Sequence, residues 1–294
     1  MGKKITDKKY THWFLLPAIG VYLVFFIAPN LLSFALGFTD WNVNFFNEIN
    51  FTGIDNFKLL FSESIFWMSI RNSFYFAFVT TLAQNFLGFI LAVILTGKMK
   101  LRNFYRSVFF LPSTLSTMVV AIVFISIFDP GKGIINETLR FVGLGAAAKP
   151  WLVDSRFAMN CVCLMNIWQW TGLSVVIYIA GLQTIPKEYY ESANIDGATY
   201  LQKIKNIIIP LLMPSIINNI LLAIIGGLKV FGQVYALTGG GPADSTQVFG
   251  TLIFKNFAQG LYGYSSAIGL VFTITVCLLS FTVVGAMRKL EVEY

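Results

Sequence analysis

The sequence is poor in charge and in residues that build metal or catalytic centres. Only 12% of its 294 residues are Asp, Glu, Lys or Arg, whereas soluble domains typically contain about 25%. It has one histidine, His12, at the start of an apolar stretch, where a membrane-surface position is expected. Cys161 and Cys163 share one apolar stretch and Cys277 lies in another. Neither a disulfide framework nor a metal site is therefore predicted.

The sequence also lacks a nucleotide-binding loop and carboxylates within its apolar stretches. The glycine-rich residues 143–149 do not fit the GxxxxGK[ST] pattern, so ATP binding by that route is not expected. None of the 14 acidic residues lies near the middle of an apolar stretch. The lack of carboxylates within the apolar stretches disfavours an ion-coupled secondary carrier, and the lack of paired carboxylates or a His cluster there disfavours an intramembrane enzyme. The net charge of +7 is spread over the ends of apolar stretches, which argues against nucleic-acid binding.

What the sequence does have is six long apolar stretches. Each has about 20 residues or more, the length of helix that crosses a hydrocarbon core of roughly 30 Å. They predict an all-α integral membrane protein with six transmembrane helices, at about 13–38, 72–95, 105–128, 157–183, 206–230 and 264–287. The first stretch lacks a signal-peptide cleavage pattern, so it is expected to remain as a true span.

The distribution of basic residues predicts the orientation. If the N-terminus is cytoplasmic, thirteen of the 21 Lys and Arg residues fall in the inner segments. Because positive charge resists translocation, both the N-terminal residues 1–12 and the C-terminal residues 288–294 are expected to be cytoplasmic. The outer segments are longer and rich in Asn, Gly and aromatic residues, which favours contact with a partner protein. In one of them a turn at 130–133 and a short helix over 134–141, ending at Gly143, are predicted.

The most informative segment, 184–214, connects the fourth and fifth stretches on the predicted inner side. Its first part predicts a short helix, with Thr184 as the cap, Pro186 in the first turn and Glu188 near the N-terminus. Gly197 is expected to end that helix. The sequence therefore predicts a cytoplasmic helix between spans four and five.

A second helix is expected to begin near Thr199 and to run toward Pro210. Two helices joined at a glycine corner would form a compact knob that projects from the membrane. Periodicity alone leaves open the alternative that this is a polar inner loop with ordinary helix caps.

The spacing within this segment resembles the EAA motif of binding-protein-dependent ABC importer permeases. That motif is Glu-Ala-Ala, three residues, Gly, nine residues, Ile, one residue and Leu-Pro. The matching positions here are Glu191, Ser192, Ala193, Gly197, Ile207, Ile209 and Pro210. Two positions differ from the motif, Ser for Ala and Ile for Leu, and both changes are small in volume. The flanking residues 185–186 and 195–198 resemble the carbohydrate branch of the family.

The resemblance implies a coupling helix in the loop 184–205 that docks into a groove on a cytoplasmic ATPase subunit. There Glu191 would offer a charge-assisted contact, Ala193 a close-packed face and Gly197 a bend without a side chain. The implied coupling residues are Glu191, Ser192, Ala193, Asp196, Gly197 and Pro210. No cofactor is expected on this chain, because ATP and Mg would bind to the partner ATPase.

A second resemblance follows the fifth stretch. The residues from Tyr235 to Pro242 resemble the Tyr-x-Leu-Thr-x-Gly-Gly-Pro signature of sugar permeases. Because Gly240, Gly241 and Pro242 cannot continue a helix, a sharp turn is expected at the outer mouth. Together the resemblances cover essentially the whole chain and imply a type I importer with a MetI-like transmembrane domain. The implied organisation is a first span with its outer loop at 13–71 and a transmembrane core at 72–287.

Polar and aromatic residues within spans are candidates for a solute pathway. Such residues are costly beside lipid and tend to face the bundle interior or a wet cavity. Indole rings can stack on a sugar ring, and amides can bond its hydroxyls. The tentative pathway residues are Asn166, Trp168, Gln169, Trp170, Gly227, Lys229, Val230, Gln233 and Tyr235, with Thr171, Asn218 and Asn219 beside them. Helix packing is the alternative for the tryptophans, and snorkelling to the outer interface is the alternative for Lys229.

The resemblance to maltose-type permeases implies solute contacts near Gln169, Trp170, Gly227 and Val230. The last two residues supply no polar side chain, so the contact set is expected to differ from the maltose case. The prolines at positions 112, 210 and 214 are expected to bend their helices.

The sequence thus predicts a permease subunit of an ATP-driven sugar importer in a bacterial or archaeal inner membrane. The implied partners are a second, homologous permease in a heterodimer, ATP-binding subunits and an extracytoplasmic solute-binding protein. Import of glycerol phosphate or a polyol stays open as the alternative. The identity of the sugar stays open as well.

Overall fold

A computed structural model of the protein describes residues 15–97 and 99–288. The predicted cytoplasmic N-terminus with His12, the start of the first stretch at Trp13, Lys98, and 289–294 of the C-terminus lie outside these residues. Within the described residues every secondary-structure element is a helix, apart from one isolated β-bridge between Thr39 and Phe51. The predicted all-α class is confirmed.

Apart from two single 3-10 turns at Val43–Phe45 and Gly145–Ala147, the described residues contain twelve helices. They are α1 Leu16–Leu36, α2 Asp55–Ser62, α3 Ser64–Thr96, α4 Arg102–Thr114, α5 Thr117–Ile127, α6 Ile134–Phe141, α7 Ala158–Thr184, α8 Lys187–Ile195, α9 Tyr200–Leu228, α10 Gly232–Leu237, α11 Phe249–Ala258 and α12 Tyr262–Arg288. Five of them, α1, α3, α7, α9 and α12, are long and apolar enough to cross a membrane, and α4 with α5 would make a sixth span. The short helix α6 ends where predicted, with Gly143 at a φ of 80°.

The third predicted span, 105–128, is bent at Pro112 as expected, but far more sharply than a kink within one helix. Its two halves, α4 and α5, meet at 98°, with Leu115 and Ser116 in extended backbone between them. Pro112 lacks an N–H to donate, and the hydroxyls of Ser113 and Thr114 bond carbonyls three residues back, at 2.7 Å each. Both effects weaken the helix at this point, so the proline marks a break rather than a mild bend.

The fifth span begins earlier than predicted, because α9 runs without interruption from Tyr200 into the membrane. Pro210 does not break it. The residues before the proline, Ile204–Ile208, form a π-helical turn in which the Ile209 N–H donates to the Ile204 carbonyl. This wider turn accommodates a residue that has no N–H and a bulky ring. The segment that precedes the fifth stretch and the span itself are therefore one helix.

Small residues let the central helices approach closely. Helix α3 packs along α7, and α9 packs against both. A Cβ atom added to Gly88 of α3 would lie 2.6 Å from the Cβ of Ser174 of α7. One added to Gly172 of α7 would lie 1.9 Å from the Phe109 carbonyl oxygen of α4. Such contacts are typical of membrane helices, where close backbone packing drives association. Helix α1 has no buried residue and lies at the edge, against α12.

The interior of the bundle is divided along its length. One apolar cluster, with Val175, Tyr178, Leu182 and Leu212, lies toward the end that carries α8, which we call the knob end. Another cluster, with Phe76, Val162, Met165, Val230 and Val234, lies toward the opposite end. Between the two clusters α3, α7 and α9 contribute a layer of amide side chains: Gln84, Asn85, Asn166 and Asn219.

Replacing Gly172 with Ala is expected to destabilise the protein. The added methyl group would meet the Phe109 carbonyl oxygen, which cannot move without shifting α4. Overpacking of this kind costs about 1–3 kcal/mol. The free energy of unfolding in detergent micelles, measured by denaturant titration, should fall by that amount. Gly269→Ala is the matched control, because it also lies within a membrane helix and has no neighbouring atom within 4 Å of the added Cβ. Equal stability of the two variants would contradict the close approach.

Candidate functional site

A cavity of about 260 Å³ lies within the amide layer, between α3, α7, α9 and the first turn of α10. Its polar lining consists of four amides, one hydroxyl and one indole. These belong to Gln84, Asn166, Asn219, Gln233, Ser174 and Trp170. The remaining lining residues are small or apolar, and among the described residues that line the cavity none is charged.

Hydrogen bonds between helices fix the amides of this cavity. The Gln84 Nε2 donates to the Asn166 Oδ1 at 2.7 Å, which joins α3 to α7. The Asn219 Nδ2 donates to the Asn85 Oδ1 at 2.9 Å, which joins α9 to α3, and the Tyr178 hydroxyl donates to the same oxygen. The Gln84 Oε1, the Asn166 Nδ2 and the Asn219 Oδ1 have no partner among the described residues. The two oxygens can therefore accept hydrogen bonds from a molecule in the cavity, and the nitrogen can donate to it.

Four of the nine predicted pathway residues line the cavity: Asn166, Trp170, Gly227 and Gln233. Trp168 does not, although it is only two positions from Trp170. Successive helical residues are about 100° apart, so the two indoles point to different sides of α7. The Trp168 ring packs against Phe124 at 5.5 Å and is about half exposed.

The other four predicted residues also lie away from the cavity lining. Gln169 is fully buried, and its Nε2 donates to the Leu115 carbonyl at the break between α4 and α5, at 3.1 Å. Val230 belongs to the apolar cluster of the opposite end. Lys229 is exposed at the end of α9, and the Tyr235 ring stacks on Phe231 at 5.2 Å.

The sequence reasoning missed Gln84 and Ser174 as lining residues. Gln84 and Asn85 form an amide pair in the middle of the second apolar stretch, so the rule that was applied to the fourth and fifth spans also selects them. Ser174 lies four residues after Trp170, on the same face of α7. Gly227 lines the cavity and is also a packing residue, since an added Cβ would lie 2.7 Å from the Ala77 Cα.

A short helix projects at the knob end, as predicted, but its start differs. Thr184 is the last residue of α7, and its hydroxyl donates to the Gly181 carbonyl at 2.8 Å, so the prediction that it caps α8 is wrong. Pro186 takes the N-cap position instead. Glu188 lies in the first turn, and Gly197 ends the helix with a φ of 71°. Both of these predictions are confirmed.

The second helix of this segment begins where predicted. Thr199 caps it in a capping box, with its N–H donating to the Gln202 Oε1 at 2.7 Å. The Lys203 ammonium donates to the Asn194 Oδ1, which ties the start of α9 back to α8 across the Gly197 corner. We call residues 187–203 the knob.

The predicted coupling residues occupy different surfaces. Glu191, Ser192, Asp196 and Gly197 are exposed on the knob. Ala193 is only 8% exposed, so its side chain faces the protein interior rather than an external partner. Ile195, two positions further on, is 88% exposed on the knob. Pro210 lies within α9, outside the knob.

At the opposite end of the bundle, the predicted turn is present. The positive φ of Gly239 and Gly240, at 62° and 93°, reverses the chain after α10. The φ of 93° at Gly240 is one that other residues rarely adopt, and an added Cβ would also displace the Gln247 side chain, whose Oε1 would lie 1.8 Å away. The Thr246 hydroxyl donates to the Gly241 carbonyl at 2.6 Å and fixes the turn that leads into Pro242.

The long segment 129–157 is ordered at this same end by two polar centres. The nearly fully buried Asn136 bonds the Lys149 carbonyl at 2.9 Å and accepts from the Trp151 indole at 2.8 Å. Hydrogen bonds from the Arg156 guanidinium lower the pKa of Asp154 to about 2, so this carboxylate stays ionised at physiological pH. Within 15–97 and 99–288 no group of His, Cys, Asp and Glu side chains is arranged to hold a metal ion.

Comparison of the sequence with known proteins identifies the family of the chain. Residues 84–291 match the family model for the binding-protein-dependent transport system inner membrane component. The chain is 33% identical, over 96% of its length, to the trehalose/maltose transport system permease protein MalF of Thermococcus litoralis, covering 94% of that protein. It is 31% identical to the multiple sugar-binding transport system permease protein MsmF of Streptococcus mutans, over 99% of both chains.

The fold is similar to that of a solved structure, a bacterial ABC transporter involved in the import of the acidic polysaccharide alginate. The TM-score is 0.82, with 24% identity, over 95% of this chain and 94% of the other. An ion-coupled carrier and an intramembrane enzyme, the alternatives considered from the sequence, are not supported. The chain belongs to the family of binding-protein-dependent transport system inner membrane components, and it is a multi-pass membrane permease subunit of an ABC importer.

Proposed function

We propose that this permease translocates a neutral sugar or oligosaccharide and that the central cavity is part of its pathway. The uncharged lining of amides, one hydroxyl and one indole carries the proposal. Relatives that are named for trehalose, maltose and multiple sugars support it.

The chemistry of the cavity suits a sugar. Sugar hydroxyls donate and accept hydrogen bonds, and the unpaired atoms of Gln84, Asn166 and Asn219 offer both acceptors and a donor. The indole of Trp170 supplies a flat apolar face for the carbon face of the ring. A small polyol would use the amides but would leave this indole without a ring to stack on.

Charge argues against glycerol phosphate and acidic sugars at this cavity. A buried anion is costly unless a cation or several N–H donors compensate for it. No Lys or Arg is among the described residues that line the cavity, and Lys229 is exposed at the end of α9. The proposal therefore specifies a neutral solute.

The knob is the proposed docking element for the cytoplasmic ATPase subunits, which bind ATP and Mg. This assignment places both termini and the knob on the cytoplasmic side. The exposed Glu191, Ser192 and Asp196 provide polar contacts, and the exposed Ile195 provides an apolar one. Ala193 then serves to pack α8 onto its own protein.

Continuity of α9 gives the knob a direct mechanical route to the cavity. The helix begins at Tyr200 within the knob and carries Asn219 in the cavity wall, about 29 Å further along at 1.5 Å per residue. Movement of the knob when the ATPase subunits close would therefore shift the cavity wall. Two arrangements of this kind provide alternating access.

The remaining partners follow from this role. A second, homologous permease would complete a heterodimer around the pathway, and an extracytoplasmic binding protein would deliver the sugar to the outer end. The turn at Gly240 to Pro242 and the ordered segment 129–157 lie at that end. The assembly belongs in a bacterial or archaeal cell membrane.

Replacing Trp170 with Leu is expected to raise the apparent KM for uptake about tenfold. The variant loses the stacking surface, worth about 1.5 kcal/mol. The measurement is uptake of the labelled sugar that the partner binding protein binds, by vesicles with the complete importer. Trp168→Leu is the matched control and should change the KM less than about twofold, since this indole packs against Phe124 outside the cavity. Equal effects of the two substitutions would argue against the cavity as the pathway.

Gly197→Asp is expected to leave the chain in the membrane and to abolish transport. No atom lies within 4 Å of the added Cβ, so the only local cost is the strain of a side chain at positive φ. The new charge would occupy the corner that meets the ATPase. Gly143→Asp is the matched control, because Gly143 also ends a short helix with positive φ and open surroundings, at the opposite end. Uptake and co-purification of the ATPase subunit are the measurements.

The two variants should reach the membrane in equal amounts, and only Gly197→Asp should lose the ATPase subunit. A cysteine at Glu191 or Ser192 should also crosslink to that subunit in intact membranes. Normal uptake by Gly197→Asp, or labelling of these cysteines from the outside, would refute the coupling role.

A further inference from the structure

A second, larger cavity of about 630 Å³ lies behind the knob, on the side that faces the bundle. Its walls come from the end of α3, the junction between α7 and α8, and the start of α9. The apolar cluster of the knob end lies between it and the central cavity. The proposed sugar pathway therefore does not account for it.

The lining of this second cavity has two chemical halves. Its floor is apolar and is formed by Val93, Leu182, Ile185 and Ile208. Its rim is polar and carries Lys187, Tyr190 and Tyr200. Neither the Lys187 ammonium nor either tyrosine hydroxyl has a hydrogen-bond or ion-pair partner among the described residues. Burial raises the pKa of Tyr190, so its hydroxyl remains a donor at neutral pH.

The position of the cavity along the bundle indicates where its ligand comes from. It opens where two membrane-crossing helices end, α3 at Thr96 and α7 at Thr184. This is the level of the lipid headgroups, where tyrosine and lysine side chains are commonly found. A cavity at this level with an apolar floor and a cationic rim matches a molecule that has both an acyl portion and an anionic head.

We propose that this cavity binds an anionic phospholipid, with the phosphate of its headgroup against Lys187, Tyr190 and Tyr200 and the start of an acyl chain on the apolar floor. The phosphate oxygens accept from the ammonium and from the two hydroxyls. The lipid would touch both the knob and α3, so it would lie between the docking element and the bundle. The proposal rests on the membrane placement of the family and not on the identity of the sugar.

The test is photo-crosslinking in the complete importer, with full-length chain and partner subunits reconstituted in vesicles. A photoreactive phenylalanine analogue replaces Gln183, which lines the cavity but takes no part in the proposed phosphate contacts. The vesicles contain phosphatidylcholine with a labelled probe, either phosphatidylglycerol or phosphatidylcholine. We expect capture of phosphatidylglycerol several-fold above that of phosphatidylcholine. Equal capture of the two lipids would overturn the proposal.

Charge variants identify the group that is responsible. Lys187→Gln should reduce the capture of phosphatidylglycerol about fivefold, which corresponds to about 1 kcal/mol for one basic residue near a membrane. Lys187→Arg should preserve capture, which excludes simple misfolding. Lys205→Gln removes the same charge from the same segment but outside the cavity lining, and it should have no effect. Equal losses in the two glutamine variants would mean general surface attraction and would overturn the proposal.

A soluble competitor distinguishes a lipid from a free phosphate compound. Glycerol phosphate or inorganic phosphate in excess should leave the capture unchanged, because neither has an acyl chain for the apolar floor. Loss of capture would assign the cavity to a soluble phosphate compound and would contradict a lipid site. Both leaflets of the vesicles contain the probe, so the result does not depend on the side that the knob faces. Absence of selective lipid capture would therefore overturn the lipid site without bearing on the coupling role of the knob.

Discussion

Hydrogen bonds between amide side chains of three helices hold the centre of this protein. An amide inside a membrane bundle costs about 1–3 kcal/mol when it is left without a partner. Gln84 pairs with Asn166, and Asn219 pairs with Asn85, so each bond joins α3 to a neighbour and fixes the register of both helices. The register in turn decides which side chains surround the central cavity. Because each amide uses only part of its bonding capacity within the protein, the same groups that stabilise the bundle can bind a hydroxylated solute.

Close backbone packing supports this polar layer. Amide side chains reach across to a neighbouring helix only when the helix axes are near each other, and glycine at the α3–α7 and α4–α7 crossings permits this. The α4–α5 break depends on the same arrangement, since the Gln169 amide satisfies the Leu115 carbonyl that the break leaves without a helical partner. The close approach of the helices and the hydrogen bonds of the buried amides therefore depend on each other in this bundle. Helix α1, which takes part in neither, lies at the edge.

Hydropathy and capping residues predicted the positions and ends of most helices. What they missed is mainly the direction in which side chains point around each helix axis. Long apolar stretches identify spans whatever direction each side chain faces, and Gly197 and Thr199 mark helix ends through local backbone chemistry. Pro112 marks a weak point, but the size of the break, where the Gln169 amide bonds the Leu115 carbonyl, and the direction of Trp168 depend on contacts with other helices. A helix that is apolar on all sides gives no periodic signal for such contacts. The sequence therefore placed Trp168 and Trp170 in the same span but could not show that only Trp170 faces the cavity.

The amide layer also bears on how the proposed importer would move. Helix α9 cannot slide along α3 without breaking the bond between Asn219 and Asn85, at a cost of about 0.5–1.5 kcal/mol. This cost is small compared with the energy available from a ligand that switches a protein almost completely between two states. Such a ligand must bind one state about 5.5 kcal/mol more tightly than the other. Part of the motion can instead be absorbed in the π-helical turn Ile204–Ile208, which lies between the knob and the amide layer. Motion that the turn does not absorb would pass along the continuous helix to Asn219, so a displacement of the proposed docking element would still reach the wall of the central cavity.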